Sequence, residues 1–193
     1  MSSAPTLRVS PDQYLVQERK ASYKSEYYQG EIFAMAGASK EHVRISTNLI
    51  SESHQQLKGK MCEVFGSDLR LKIERTGLMT YPDAIIVCGD AQYLDGEFDT
   101  LLNPVVLFEV LSHSTEKYDR GAKAAQYRQI PSLREYVLIA QDHVRVEQYH
   151  RQPDDRWLLT EYTNMTETLQ LASVALTISL ADLYRQVRFA SER

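Results

Sequence analysis

A chain of 193 residues, 43% hydrophobic and 25% charged, has the size and composition of one globular domain whose core needs no staples. Its net charge of -4 and pI near 5.8 exclude a protein that coats nucleic acid through a broad basic surface, leaving only a local basic cleft to be found in the fold. No apolar run approaches the roughly 20 residues needed to span a bilayer, and Met1 to Pro5 lacks a basic-then-apolar signal pattern, so the chain reads as cytoplasmic with no membrane partner.

Ser10 followed by Pro11 reads as an N-cap with proline at the first helical position, opening a helix to about Ala21. Tyr27 to Met35 reads as a hairpin turning at Gln29-Gly30, bracketed by Glu26 and Glu31. A longer helix is expected from Ser39 to Leu57 or Lys58, with Val43, Ile50 and Leu57 at seven-residue spacing and Gly59 past its end. Met61 to Phe65 and Asp68 to Ile73 read as strands around Gly66. Cys62 and Cys88 both fall in apparent strands and in no Cys-x-x-Cys pair, so they read as buried reduced thiols rather than a disulfide or a zinc site.

Two apolar runs then each carry one acid: Tyr81-Pro82-Asp83-Ala84-Ile85-Ile86-Val87-Cys88, and Pro104-Val105-Val106-Leu107-Phe108-Glu109-Val110-Leu111-Ser112. Short, Val/Ile-rich and opened by proline, they have the character of buried strands. Alternation puts Asp83 with Ile85 and Val87, and Glu109 with Val105, Leu107 and Leu111. An acid in such a run is costly to bury unless it is hydrogen-bonded, paired or bound to a cation. Two carboxylates on neighbouring strands have the donor set of a hard cation such as Mg2+, or serve as a strand-end cap and an ion-paired glutamate.

Gly89 to Asn103 reads as a surface loop. After Ser112 a helix is expected through about Gln129, with Tyr118, Ala122 and Ala125 on one face and Lys123 on the other, stopped by Pro131. Lys117, Arg120, Lys123 and Arg128 then line a groove, or lie on a solvated face where Asp119 and Lys123 pair. Strands follow at Tyr136 to Ala140, Val144 to Tyr149 and Trp157 to Tyr162, and Ser179 caps a short helix with Leu180, Leu183, Tyr184 and Val187 on its apolar side. A helix between the Glu109 and Tyr136 strands makes these parallel neighbours in an α/β sheet with β additions at both ends.

The scattered glycines match no phosphate-cradling or dinucleotide loop, Gly-x-Ser-x-Gly is missing, and the five histidines form no His-x-x-x-His pair. Carboxylates with a lysine remain. Lys24 to Ile32, His42, Tyr81-Pro82-Asp83, Glu109-Val110-Leu111-Ser112 with Ser114-Thr115, Tyr118-Asp119-Arg120 with Lys123 and Tyr127, and Ser132 to Tyr136 together resemble the Uma-type "putative restriction endonuclease" family of the PD-(D/E)XK nuclease superfamily, over nearly the whole chain.

That resemblance implies a single domain over residues 1-193 with a restriction-endonuclease-like core, a mixed β-sheet flanked by helices and extra β-hairpins. It implies a DNA endonuclease using Mg2+ (or Mn2+), with Asp83 and Glu109 as metal ligands and a lysine two positions beyond the glutamate. Leu111 occupies that lysine position, and Lys123 on the following helix is the candidate replacement. Glu26 resembles a further acidic catalytic position, and His42, Tyr81, Ser112 and Asp119 are accessory candidates. Resemblance to nucleases that cut both strands, with the β additions around Val144 to Tyr162, implies a homodimer. The alternative is a DNA-binding or regulatory module on the same fold that does not cut.

Overall fold

Where Ser10 precedes Pro11, helix α1 (Pro11–Glu18) opens with a full capping box, the Ser10 and Gln13 side chains each accepting from the other's backbone N–H. The structure, a computed structural model, describes residues 8–189; the Met1 to Pro5 stretch lies outside the described residues. Helix α1 buries Tyr14 and Leu15 against Tyr27 and Met79. The Tyr14 hydroxyl donates to the Ser25 carbonyl at 2.5 Å, fixing where the first hairpin starts.

That hairpin pairs β1 (Ser25–Tyr28) with β2 (Glu31–Ala34). Gln29 and Gly30 both take positive φ, 50° and 90°, the pairing of left-handed residues that matches the twist of a two-residue hairpin. With β4 (Arg70–Lys72), β5 (Met79–Thr80) and β7 (Thr100–Leu101) it forms a five-stranded sheet of order β2-β1-β5-β4-β7. The second sheet has six strands, ordered β11-β10-β9-β8-β6-β3. These are β3 (Cys62–Gly66), β6 (Ala84–Cys88), β8 (Val106–Leu111), β9 (Glu135–Ala140), β10 (Val146–Arg151) and β11 (Trp157–Tyr162).

Every side chain of β8 and β9 is buried, as expected of central strands covered on both faces. One face takes α2 (Lys40–Leu57), whose Ile45, Leu49 and Leu57 join Ile86, Val106, Phe108 and Val110 in one core. The other face presents Ile85, Leu107 and Leu111 to Leu71, Ile73 and Leu78 near the first sheet and to Ala124 and Tyr127 of the crossover helix. The crossover makes β8 and β9 parallel, as its length requires. It runs as α3 (Glu116–Tyr118), a π-helical turn over Asp119–Lys123, and α4 (Ala124–Tyr127).

Several expectations are corrected. Cys62 and Cys88 are not free thiols but a disulfide, because the antiparallel β3–β6 register sets them directly opposite with Cα atoms 4.0 Å apart. Val43 is 52% exposed, since α2 turns the Ile45, Asn48, Leu49 stripe inward instead. The buried face of the crossover helix is Asp119, Lys123, Ala124 and Tyr127, whereas Tyr118, Ala122 and Ala125 face out. The 89–103 segment contributes β7 and a bridge from Tyr93 to Leu101. A further hairpin, β12 (Thr168–Leu171) with β13 (Leu176–Ser179), precedes α5 (Leu180–Leu183), where Ser179 accepts from the Asp182 N–H at 3.0 Å.

The 89–103 segment is pinned by charge. Asp99 accepts from Arg19 at 2.8 Å and from the buried Arg70 at 3.0 Å, and the Arg19 hydrogen bond is the main reason its carboxyl is held down to about 2. A depressed carboxyl pKa contributes stability that is present above the unfolded value near 3.8 and lost as pH falls through about 2. Asp99→Asn is therefore expected to cost on the order of 1–2 kcal/mol at pH 7, discounted for partial exposure. Urea unfolding across pH should show the gap to wild type closing between about pH 4 and 2.

Candidate active site

The β6–β8 register ends at the pair Ala84–Phe108, which brings Asp83, just outside β6, to the end of the sheet where Glu109 lies, near enough for its charge to act on that carboxyl. Asp83 lies just before β6, and its backbone N–H still donates to the Phe108 carbonyl at 3.1 Å. One carboxylate oxygen accepts from the Val110 N–H at 2.7 Å, and the other meets Nε2 of His42 at 2.7 Å. His42 reaches this point because Ser39 caps α2 and places its first turn at the carboxyl ends of β8 and β9.

Glu109 lies on the side of the first sheet and the crossover helix. Its Oε1 accepts from the Tyr127 hydroxyl at 2.6 Å and lies 2.9 Å from Nζ of Lys123. The same ammonium is 3.1 Å from Glu26 Oε1, delivered by β1, and 3.7 Å from Asp119 Oδ1. Thr80 on β5 donates to Glu26 at 2.5 Å. Three carboxylates from three elements thus surround one lysine, whose side chain is only 5% exposed.

One ammonium cannot neutralise the buried Glu109 and Asp119 and the partly buried Glu26 with Asp83 close by. Burial, opposed by Lys123 and reinforced by Asp119 and Asp83, pushes the Glu109 carboxyl up to about 8. Burial raises Asp119 as well. Burial alone would drive Lys123 toward its neutral form, but Glu109, Glu26 and Asp119 together outweigh it and hold the ammonium well above its ordinary value. Tyr127 is likewise raised, by burial and by the carboxylate it serves. Asp119 Oδ1 is buried without a hydrogen-bond partner, an orphan acceptor beside the lysine.

Residues 11–182 match the Uma2 family, described as "Putative restriction endonuclease". The chain belongs to the Uma2 family. It is 37% identical to the uncharacterized protein slr1290 of Synechocystis sp. over 97% of each chain. It is 38% identical to the uncharacterized protein sll1609 of the same organism, over 83% of this chain and 91% of the relative. A crystal structure of a "putative nuclease belonging to DUF820" from Anabaena variabilis superposes with a TM-score of 0.75 at 18% identity, covering 93% of this chain and 99% of that one, which shows the shared fold.

In this Uma2 chain the fold brings Glu26, His42, Asp83, Glu109, Asp119 and Lys123 to one end of the six-stranded sheet. Leu111 is buried in the core beside Leu107 and carries no charge to the site. The Tyr81 hydroxyl turns away, donating to Glu18 at 3.0 Å and accepting from Arg70 at 3.1 Å, and so anchors the chain ahead of Asp83. Ser112 bonds to the hydroxyls of Ser114 and Thr115 at 3.0 and 2.9 Å and shapes the start of α3. Thr80 and the Tyr127 hydroxyl are participants that the sequence reading does not assign to the site, although Tyr127 stands with Lys123 among the residues that carry the family resemblance.

Removing one member of a buried charge cluster leaves the others uncompensated, at a typical cost of about 3–5 kcal/mol. Lys123→Met should therefore destabilise the metal-free protein by that order near pH 8. The raised carboxyls of Glu109 and Asp119 take up protons as pH falls and need the lysine less, so the penalty should shrink toward pH 5. Denaturant titrations at the two pH values read this directly.

Proposed function

We propose that this chain is a divalent-metal-dependent DNA endonuclease that hydrolyses phosphodiester bonds, with Asp83 and Glu109 as the carboxylates for Mg2+ (or Mn2+) and Lys123 as the accompanying lysine. The observation that carries the reading is the Lys123 ammonium 2.9 Å from Glu109, supplied by the crossover helix where Leu111 withholds it from the strand. The family description and the naming of the Anabaena neighbour as a putative nuclease support the same class of activity.

The donors suit a hard cation. Among the described residues no group of three or more His, Cys, Asp or Glu is arranged to hold a metal ion. A Mg2+ site, however, takes one or two carboxylates and completes its shell with water and substrate phosphate. Asp83 and Glu109 offer oxygen only, both contacts to Glu109 fall on Oε1, and the surplus negative charge around Lys123 asks for a further cation. When bound, a divalent ion supplies a water of lowered pKa and an offset for charge on the phosphate.

The chain's own residues do the rest. Lys123 places a fixed positive charge where an oxyanion develops, and Glu26, steadied by Thr80, holds that ammonium together with Glu109. His42 and the Val110 N–H hold the Asp83 carboxylate in one orientation. Asp119 sets the lysine's rotamer from one turn earlier on its own helix.

The test is metal-dependent cleavage of a mixed DNA panel by purified protein. Asp83→Ala should lose both divalent-ion binding and cutting. Lys123→Ala, assayed where its circular dichroism matches wild type, should cut on the order of 10²–10³ more slowly while still binding the ion, the scale of one lost preorganised donor. Wild type that cuts no substrate with any divalent ion would replace the nuclease with a binding module.

A further inference from the structure

A groove of about 580 Å³ opens at the carboxyl ends of β8 and β9, the usual side for ligands in sheets of this kind. Its floor is Leu111 and Ala140, the last residues of the two parallel strands. Its walls come from the first turn of α2, the start of the crossover helix, the β9–β10 connection and Arg188. Three of these segments also build the carboxylate site: Ser39–Glu41 runs into His42, Leu111 and Ser112 follow Glu109, and Glu116 and Arg120 flank Asp119. The groove is therefore built on the same chain segments that carry the catalytic cluster.

Its charge differs from that of the chain as a whole. Each acid in the lining already has a cationic or histidine partner: Glu41 with Arg44 at 3.1 Å, Glu116 with Arg120, and Asp142 with His143 at 2.7 Å. Among the described residues no ion pair engages Lys40, His113 or Arg188, and all three are exposed. A protein of net charge -4 thus presents, among the described residues, three basic side chains in no ion pair around a part-apolar floor. Gln141, held by Ser39 at 2.5 Å, adds a fixed amide at the rim.

We propose that this groove binds the strand of nucleic acid next to the phosphodiester being cut, one or two nucleotides at a time. Lys40 and Arg188 take backbone phosphate, Gln141 and His113 take the polar edge of a base, and the buried Leu111 and Ala140 close the bottom of the groove. The volume is that of a site for one small ligand, which suits an unpaired strand. The proposal rests on the nuclease reading for its substrate and adds where the flanking strand lies.

The experiment measures equilibrium binding of a fluorescein-labelled single-stranded oligodeoxynucleotide by anisotropy, in EDTA so that nothing is cut, across a salt series. Lys40→Ala/Arg188→Ala should weaken binding about tenfold and lower the slope of log K against log salt by about 1 to 1.5, since a single strand contributes ~0.7 per phosphate contact. Lys20→Ala/Arg75→Ala, which removes the same charge outside the groove, should match wild type. Equal losses in both double variants, or none in either, overturn the subsite, as does a variant that loses duplex but not single-strand binding. Wild type that cuts DNA while Lys40→Ala/Arg188→Ala binds normally removes the subsite and leaves the nuclease. Weakened binding in that variant with no cleavage by wild type removes the nuclease and leaves the subsite.

Discussion

The ammonium of Lys123, enclosed by Glu26, Glu109 and Asp119, is the point at which the separate parts of this fold are tied together. Glu26 arrives on the five-stranded sheet, Glu109 on the six-stranded sheet, and Asp119 and the lysine itself on the crossover helix. Buried charges are tolerated only when paired and hydrogen-bonded, so each of these elements is held in the one placement that satisfies the lysine. The relation is unequal, with more acid than base, and the excess shows as the raised carboxyl of Glu109. A stability-optimised core would have replaced the group with apolar side chains. A retained cluster of buried charges with a strongly raised carboxyl is the kind of feature that concentrates at functional sites.

A second buried acid in the same molecule shows the contrast. Glu135 at the start of β9 is fully buried and, among the described residues, in no ion pair, yet both carboxylate oxygens are engaged. Oε1 accepts from the Ser173 N–H at 2.9 Å and its hydroxyl at 2.6 Å, and Oε2 accepts from Gln148. Neutral donors complete it, and it fastens the connection between β12 and β13 to the six-stranded sheet. Asp119, by comparison, keeps one oxygen buried without a donor. The two acids are equally hidden, but only one of them is finished by the protein.

Much of this is legible in the sequence where the controlling physics is local. The Ser10 and Ser39 caps, the Gln29-Gly30 turn and the acids of the two central strands each depend on a few adjacent residues. The parallel pairing of β8 and β9 follows from the crossover alone. What escapes depends on partners far along the chain. The inward face of the crossover helix defies its pattern because Glu26 and Glu109, which arrive on other elements, draw Lys123 inward together with Ala124 and Tyr127, where a charged residue would ordinarily face solvent. Thr80 and the cysteine pairing are set by strand register, which no short window contains. The β12–β13 hairpin, not among the expected elements, is carried by a local pattern all the same: Leu169 and Leu171, then Leu176 and Ile178, alternate with exposed residues in the period-two pattern of a strand.

The π-helical turn over Asp119–Lys123 carries a consequence for how the chain can vary in length. Such a turn is one residue wider than an α-helical one, so it acts as an insertion held within a continuous helix. Deleting a single residue there would restore regular winding and rotate the N-terminal part of the crossover by about 100° relative to its C-terminal part, the angle of one residue at 3.6 per turn. Tyr127 could stay against Glu109 only if Asp119 and Arg120 swung away from their partners, or the reverse. The count of residues between Ser112 and Tyr127 is thus as much a part of the site as the lysine it contains, and that span has no freedom to lose a position.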